Sequence, residues 1–313
     1  MAKKILYILV PGSNISPFDV TLAADSGYDM VLPFTGISNK DVIPMVQDAI
    51  FCRPPFRFND TGVFIGGRDI NLATDMIESA KKAMVGPFEV GVFADPNGAY
   101  TTSASVVALA NKTLKEQTGK GLEGLNVAVF GGGPVGLCTA VLAAKEGAKP
   151  YLCQLTADEN IDAANRFCER YGVEVPWVCA ETHKEKIAAV KSADVILCAV
   201  KAGIRVLGKE ILEHASNLIV AADTNAVPPS GVEGIDGQDN GVVIETENGS
   251  FKGIGPMAIG NLKYKVQYGL FEEMQNSKKA AIIDFEDAYK YAVSLLSPEP
   301  VAEEKQELEE ELA

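Results

Sequence analysis

A chain of 313 residues, 47% hydrophobic and 22% charged, is long enough for two domains with separate cores and has the composition of an ordinary globular enzyme. Its formal charge of -14 and pI near 4.7 exclude a nucleic-acid partner, because phosphate binding needs clustered lysine and arginine to displace counterions. No stretch reaches the roughly 18 apolar residues of a membrane span, so the expectation is a cytoplasmic protein with no membrane partner.

Strand-like and helix-like segments alternate from the start. Residues 1–10 carry two lysines and a short apolar run that stops at Pro11-Gly12, which fits a first strand over 4–10 better than a signal peptide. A helix is expected over 17–26, a strand over 29–33, and a helix over 39–51 with Asn39 as N-cap. After a loop over 52–60 come a strand at 61–65, a helix at 69–84, a strand at 88–94 and a helix at 100–115. Such βα alternation means a parallel sheet with helices on its faces. This first, substrate-binding domain is expected to end at residue 119.

The stretch that opens the second domain is the most informative in the chain. Asn126-Val127-Ala128-Val129-Phe130 is the apolar, β-branched run of a buried parallel strand. It leads into Gly131-Gly132-Gly133-Pro134-Val135-Gly136, which fits G-x-G-x-x-G. The first glycine makes the tight turn, the second lets backbone approach a pyrophosphate, and the third lets helix pack on strand. Pro134 suits a first helical turn, where its missing N–H costs nothing. The helix N-terminus, with Pro134 and Val135 in its first turn, aims free N–H groups at a diphosphate. The acid that would hold a ribose hydroxyl is expected after the next strand, at 150–153, where Gln154-Leu155-Thr156 stands instead, with neither an acid nor an arginine. Both NAD and NADP are therefore expected to be used.

The doubly wound pattern continues with a helix at 159–171, a strand at 173–178, a helix at 184–190, a strand at 193–200, a short helix at 209–214 and a strand at 218–222. Residues 255–260 read as a glycine-rich link into a long helix over 261–274, and the dinucleotide-binding domain is assigned 120–280. A last helix within 281–297 is expected to return to the first domain, and an acidic tail at 298–313 reads as a frayed, solvated end. The six cysteines show no C-x-x-C spacing and there are two histidines, so no metal site is expected, and His183 and His214 read as surface residues.

In open α/β sheets ligands bind beyond the carboxyl ends of the strands. Thr35 follows the second strand, Asp95, Asn97, Thr101 and Thr102 follow the fourth, Ala199 and Lys201 close the strand at 193–200, and Asp223 and Asn225 follow the strand at 218–222. Helix capping explains some of these turns. Their gathering on one edge points to a cleft between two domains, with the first five on the substrate side and the last four on the cofactor side.

Several separated motifs then fall in order: Ser16-Pro17-Phe18-Asp19-Val20, Phe64-Ile65-Gly66-Gly67, Phe93-Ala94-Asp95-Pro96-Asn97-Gly98 with Thr101-Thr102, Asp223-Thr224-Asn225-Ala226-Val227-Pro228-Pro229, and Ala258-Ile259-Gly260-Asn261-Leu262-Lys263-Tyr264. Over roughly residues 1–295 the chain resembles the methylene-tetrahydromethanopterin dehydrogenases of methylotrophic bacteria. The resemblance implies hydride transfer from methylene-tetrahydromethanopterin to NAD(P) in formaldehyde oxidation, a homo-oligomer and no metal. It places Asp19 and Gly260 with the substrate and carries Lys263 into the cleft, where Asp95 is its expected carboxylate partner and the two are the catalytic candidates. Members that rely on NADP tend to carry a basic residue where this chain has Leu155 and Thr156.

The reaction suits the residue inventory. A methylene carbon between two nitrogens releases hydride because both nitrogens delocalise the positive charge, so alignment matters more than a strong base. A folate-type methylene dehydrogenase and a nucleotide-sensing protein without turnover are the alternatives.

Overall fold

The computed structural model describes residues 3–156 and 160–297; the acidic tail expected from residue 298 lies outside the described residues. The first sheet contains β1 (Ile5–Val10), β2 (Met30–Thr35), β3 (Thr61–Ile65), β4 (Gly91–Ala94) and β12 (Ile282–Ile283), in the order β12-β4-β3-β1-β2 and parallel throughout. Its two-residue strand β12 arrives from the far end of the chain and was not legible in the sequence. Strands β3 and β4 are buried along their whole length, as expected where helices cover both faces.

The helices of this half are α1 (Pro17–Asp25), α2 (Asn39–Phe51), α3 (Ile70–Ala83) and α4 (Ala99–Thr118). Ser38, rather than the expected Asn39, is the N-cap of α2, because its hydroxyl and backbone N–H both engage Asp41 in a capping box. Helix α4 is buried along most of its 20 residues and packs against α5 (Pro134–Lys145), α9 (Pro256–Asn276) and α10 (Phe285–Leu296). It is therefore the central pillar between the two sheets.

The second sheet contains β5 (Asn126–Phe130), β6 (Lys149–Gln154), β7 (Trp177–Cys179), β8 (Val195–Cys198), β9 (Val220–Asp223), β10 (Asn240–Thr246) and β11 (Gly249–Ile254), in the order β10-β11-β9-β8-β5-β6-β7. The strand order reverses at β5, which pairs with β6 on one side and β8 on the other. This is a topological switch point, and the glycine turn sits directly above it. Helices α6 (Ile161–Arg170), α7 (His183–Val190) and α8 (Lys209–Leu212) complete the α/β layering. The doubly wound arrangement expected from the sequence is thus present, with one addition. The hairpin β10–β11 pairs antiparallel and extends the sheet through parallel pairing of β11 with β9.

Helix α9 begins at Pro256, five residues before the expected start, so the presumed glycine-rich link is its first turn. Gly255 is the N-cap and Pro256 occupies N1, where a fixed φ favours helix initiation. Downstream, α9 packs Phe271 against Phe64 of β3 and Phe93 of β4, with all three ring centroids within 5.4 Å of one another. A helix that follows the second sheet thereby seals the core of the first. Helix α10 adds Phe285, which contacts Tyr100 of α4 and Phe167 of α6.

Candidate active site

Two sites stand at the carboxyl ends of the two sheets. In the second, the glycine turn shows three different kinds of glycine. Gly131 has φ +109, and a Cβ there would lie 2.6 Å from the carbonyl oxygen of Ala199; a Cβ on Gly136 would strike the Gly131 carbonyl oxygen. At Gly133 nothing lies within 4 Å. The first and third glycines are thus demanded by the chain's own packing, whereas the second faces open space at the N-cap of α5. No side chain caps that helix end, and Pro134 and Val135 form its first turn. Open space beside uncapped N–H groups fits a pyrophosphate.

The strand-end residues on this side divide into groups facing solvent and groups bound within the protein. At the end of β6, Gln154 is half-buried, Leu155 leans on the apolar cluster of the second sheet and Thr156 is exposed. Ala199 lies against Gly131, and Lys201 is exposed just beyond it. Asp223 is fully buried: its carboxylate accepts from the backbone N–H groups of Asn225 (3.0 Å), Gly231 (2.7 Å) and Val232 (3.2 Å). Burial pushes its pKa up and these donors pull it down. Asn225 accepts from the N–H groups of Gly203 and Val227 and donates to the Pro229 carbonyl. Asn225 thus ties the loop after β8 to the loop after β9, and Asp223 holds the residues that follow β9 in place.

The first sheet ends in an open cleft between the loop after β1, the Gly66–Gly67–Arg68–Asp69 turn after β3, and Asn97 after β4. Asp19 lies in its wall. Asn97 holds a left-handed backbone (φ 55) and is exposed to the cleft. Thr35 is exposed at the end of the edge strand β2 and is not part of that wall.

Asp95, expected to pair directly with Lys263, is fully buried and accepts from Tyr100 N–H (2.8 Å), Thr101 N–H (3.2 Å) and the Thr101 hydroxyl (2.6 Å). It anchors the first turn of α4 from below. Thr101 is equally buried and spends its hydroxyl on that bond, while the half-buried Thr102 donates to the Gly98 carbonyl. The hydrogen bond of the Lys263 ammonium goes instead to Gln267 Oε1, at 2.9 Å. Asp95 acts on the ammonium through space: burial raises its own pKa, and Lys263 is the largest influence opposing that rise.

Gln267 is the residue the sequence reading missed. Its Nε2 donates to Asp19 Oδ1 at 2.8 Å, so one buried amide links the carboxylate of α1 to the ammonium of α9. The Lys263 ammonium also stands 4.0 Å from the ring centroid of Phe18, and the Phe18 ring meets Tyr264 edge-on. A spacing of four residues on a helix would have placed Lys263 and Gln267 on one face, but only the tertiary fold brings Asp19 to them. Gly260 lies on the exposed side of α9 with nothing within 4 Å.

The electrostatics follow from burial. Desolvation, then the neighbouring Asp95, raise the Asp19 pKa to about 6; Gln267, Lys263 and Ser16 act against that rise. Burial lowers the pKa of Lys263, while Asp95 and Asp19 raise it. Two carboxyls thus lie around one ammonium, and burial disfavours the charged form of all three groups. Among the described residues no helix is long and apolar enough to cross a membrane, and no group of three or more His, Cys, Asp or Glu could hold a metal ion.

Residues 17–97 match the family model of the N-terminal part of methylene-tetrahydromethanopterin dehydrogenase. The fold resembles shikimate 5-dehydrogenase from Listeria monocytogenes, whose crystal structure is a complex with shikimate and NAD, at a TM-score of 0.52 and 13% identity over 94% of this chain and 96% of that one. The chain is 32% identical over 293 residues to the bifunctional protein MdtA of Methylorubrum extorquens, covering 93% of this chain and 99% of that protein. It is 42% identical over 297 residues to the NAD(P)-dependent methylenetetrahydromethanopterin dehydrogenase of the same organism, covering 94% of this chain and 99% of that protein. The chain therefore belongs to the methylene-tetrahydromethanopterin dehydrogenase family.

Proposed function

We propose that the protein oxidises methylene-tetrahydromethanopterin to the methenyl form with NAD(P) as acceptor, the pterin lying in the cleft of the first sheet and the dinucleotide on the glycine turn of the second. The observation that carries this reading is the likeness to the NAD(P)-dependent dehydrogenase over 297 residues, a span too long to be confined to either sheet. The nicotinamide, when bound, supplies the acceptor for the hydride. A C–H bond of the methylene carbon breaks with both electrons leaving, and the positive charge spreads over the two flanking nitrogens.

The chain's own residues have two tasks in this chemistry. Gly133 and the first turn of α5 would hold the diphosphate, on a turn whose shape Gly131 and Gly136 set, and Gln154 and Thr156 lie where the ribose would be met. Ala199 and Lys201 border the same turn, behind which Asp223 and Asn225 keep the loops rigid. On the substrate side, the ionised carboxylate of Asp19 favours the developing cation, and Asp95 below it anchors the first turn of α4. Lys263 opposes that cation by charge, so its role is to orient a polar edge of the pterin. Asn97 lines the cleft left for the substrate, and we assign Thr102 and Gly260 to its margin.

We place the pterin side mainly in residues 1–119, the dinucleotide side in 120–280 and the returning helix in 281–297, with α9 shared because Phe271 packs into the first sheet. A homo-oligomer in the cytoplasm belongs to the same proposal, supported by the family resemblance and by buried thiols at Cys138, Cys168 and Cys198. The test is spectrophotometric turnover of purified protein with methylene-tetrahydromethanopterin and each cofactor in turn. Turnover only with methylene-tetrahydrofolate would replace the substrate assignment, and tight cofactor binding without turnover on either pterin would replace catalysis by sensing.

A further inference from the structure

We infer that Gln267 is a positioning residue for the dehydrogenase reaction, holding the Lys263 ammonium beside the cleft by clamping it to Asp19 of the cleft wall. This rests on the function proposed above. The side chain is fully buried on α9, four residues after Lys263 and 248 residues from Asp19. An amide is suited to this place because it carries an acceptor and a donor without a charge. The ammonium is only a donor and the carboxylate only an acceptor, so the two partners also fix which end of the amide faces which.

Three contacts together define where the Lys263 nitrogen stands. The Phe18 ring faces it at 4.0 Å. Gly98 lies against the stem so closely that a Cβ there would come within 2.9 Å of Cε. The amide bond to Gln267 is the third contact and carries the direction, because the ring and the stem contact leave rotation of the ammonium open. Phe18 and Asp19 are neighbours on α1, so both the ring and the far end of the clamp belong to one helix. Any shift of α1 relative to α9 is thereby transmitted to Lys263. Because the amide is desolvated, losing either bond leaves a buried polar group unmatched.

Replacing Gln267 by Leu removes both bonds at similar volume. In that variant kcat should fall by about a hundredfold, the scale of a misplaced site group, with the KM for NAD(P) unchanged. In a Lys263→Met background the same change should add little, since nothing remains to position. Gln267→Glu keeps an acceptor for the ammonium and should recover much of the loss. It should also move the acid limb of the pH profile upward, because a carboxyl replaces the donor to Asp19; Asp95 and Lys263 are the other charged groups that act on Asp19.

A readout without turnover is competitive acetylation by acetic anhydride followed by peptide mass mapping, with Lys265 as the solvent-exposed comparison. Lys263 should label severalfold faster in Gln267→Leu and in Gln267→Glu should stay near the unaltered protein. Equal labelling of Lys263 in all three proteins overturns the clamp, as does additive loss of kcat in the double variant. An unaltered protein that turns over no methylene-pterin overturns the dehydrogenase reading instead, and the labelling still decides whether Gln267 holds Lys263.

Discussion

A Cβ on Gly136 would have to occupy the space of the Gly131 carbonyl oxygen, so the third glycine of the turn is fixed by the first. The middle glycine has no such neighbour within 4 Å. The three positions of one motif therefore answer to two different demands, and substitution separates them.

Gly136→Ala should lower the melting temperature sharply, because backbone and not a flexible side chain must move. Gly133→Val should keep the melting temperature of the unaltered protein and weaken NAD(P) by at least about tenfold, or ~1.4 kcal/mol. Calorimetry of both variants and titration of cofactor fluorescence check the pair. An unchanged dissociation constant in Gly133→Val would remove the turn from the cofactor site.

The histidines provide a second test. His183 and His214 are both exposed and lie outside the cleft wall. Hydride loss from a carbon between two nitrogens needs no strong base. Replacing both by Gln should leave turnover nearly intact. A loss beyond about a hundredfold, the lower end of what general acid–base catalysis supplies, would mean that a catalytic proton carrier had been missed.

Stability should depend on pH through two buried carboxyls. Burial, with Asp95 adding to it, raises Asp19 from 3.8 to about 6, and burial raises Asp284 to a similar value. A raised carboxyl pKa means that the native state keeps a proton the unfolded chain has released. Its contribution is fully present below 3.8 and is lost as pH rises through about 6. Urea titrations from pH 4 to 7 should thus show a falling component that Asp19→Asn reduces. Asp284 caps α10 through Glu286 N–H, and Asn preserves that cap, so the double Asn variant should flatten the component further. An unaltered slope in Asp19→Asn would place its ionisation outside this window.

What could be read from the sequence was what short-range chemistry dictates. The βα alternation and the glycine turn over the switch strand follow from apolar runs and turn residues; the cleft is expected between the two domains, whereas the residues that line it, from Val10 to Asn97, all belong to the first. The hairpin β10–β11 escaped because β10 is mostly exposed and its residues carry no core pattern. The start of α9 was misjudged because Gly255 and Gly260 look like a link, whereas Pro256 at N1 starts the helix and Gly260 costs it only about 1 kcal/mol. Asp95 and Lys263, expected as a direct pair, act on each other by charge, while Asp95 hydrogen-bonds to Thr101 and Lys263 to Gln267. The intervening partner, Gln267, has no signal in a local window, since its meaning depends on a residue 248 positions away. Asp223 and Asn225 look like ligands in sequence because strand-end polar residues serve either ligands or loops; only the placement of backbone N–H groups tells the two apart.

Cofactor choice is expected to be decided at the end of β6, where Gln154, Leu155 and Thr156 stand together in sequence and the fold distinguishes them. Leu155 leans into the apolar cluster of the second sheet, while Thr156 is exposed. A 2′-phosphate is held by an arginine or rejected by an acid, and Gln154, Leu155 and Thr156 supply neither. A charge-assisted hydrogen bond is worth about 1.5–3 kcal/mol, so without one the efficiencies with NAD and NADP should lie within about two decades. Thr156→Arg should shift the kcat/KM ratio toward NADP by about tenfold or more, since the guanidinium reaches the phosphate oxygens from solvent with no core to disturb. Leu155→Arg should produce a smaller shift and a lower melting temperature, because half of its side chain must leave apolar neighbours. Steady-state kinetics with both cofactors, beside thermal melts of both variants, decide the matter. Outright rejection of one cofactor by the unaltered protein, or an unmoved ratio in Thr156→Arg, would show that selectivity is set elsewhere.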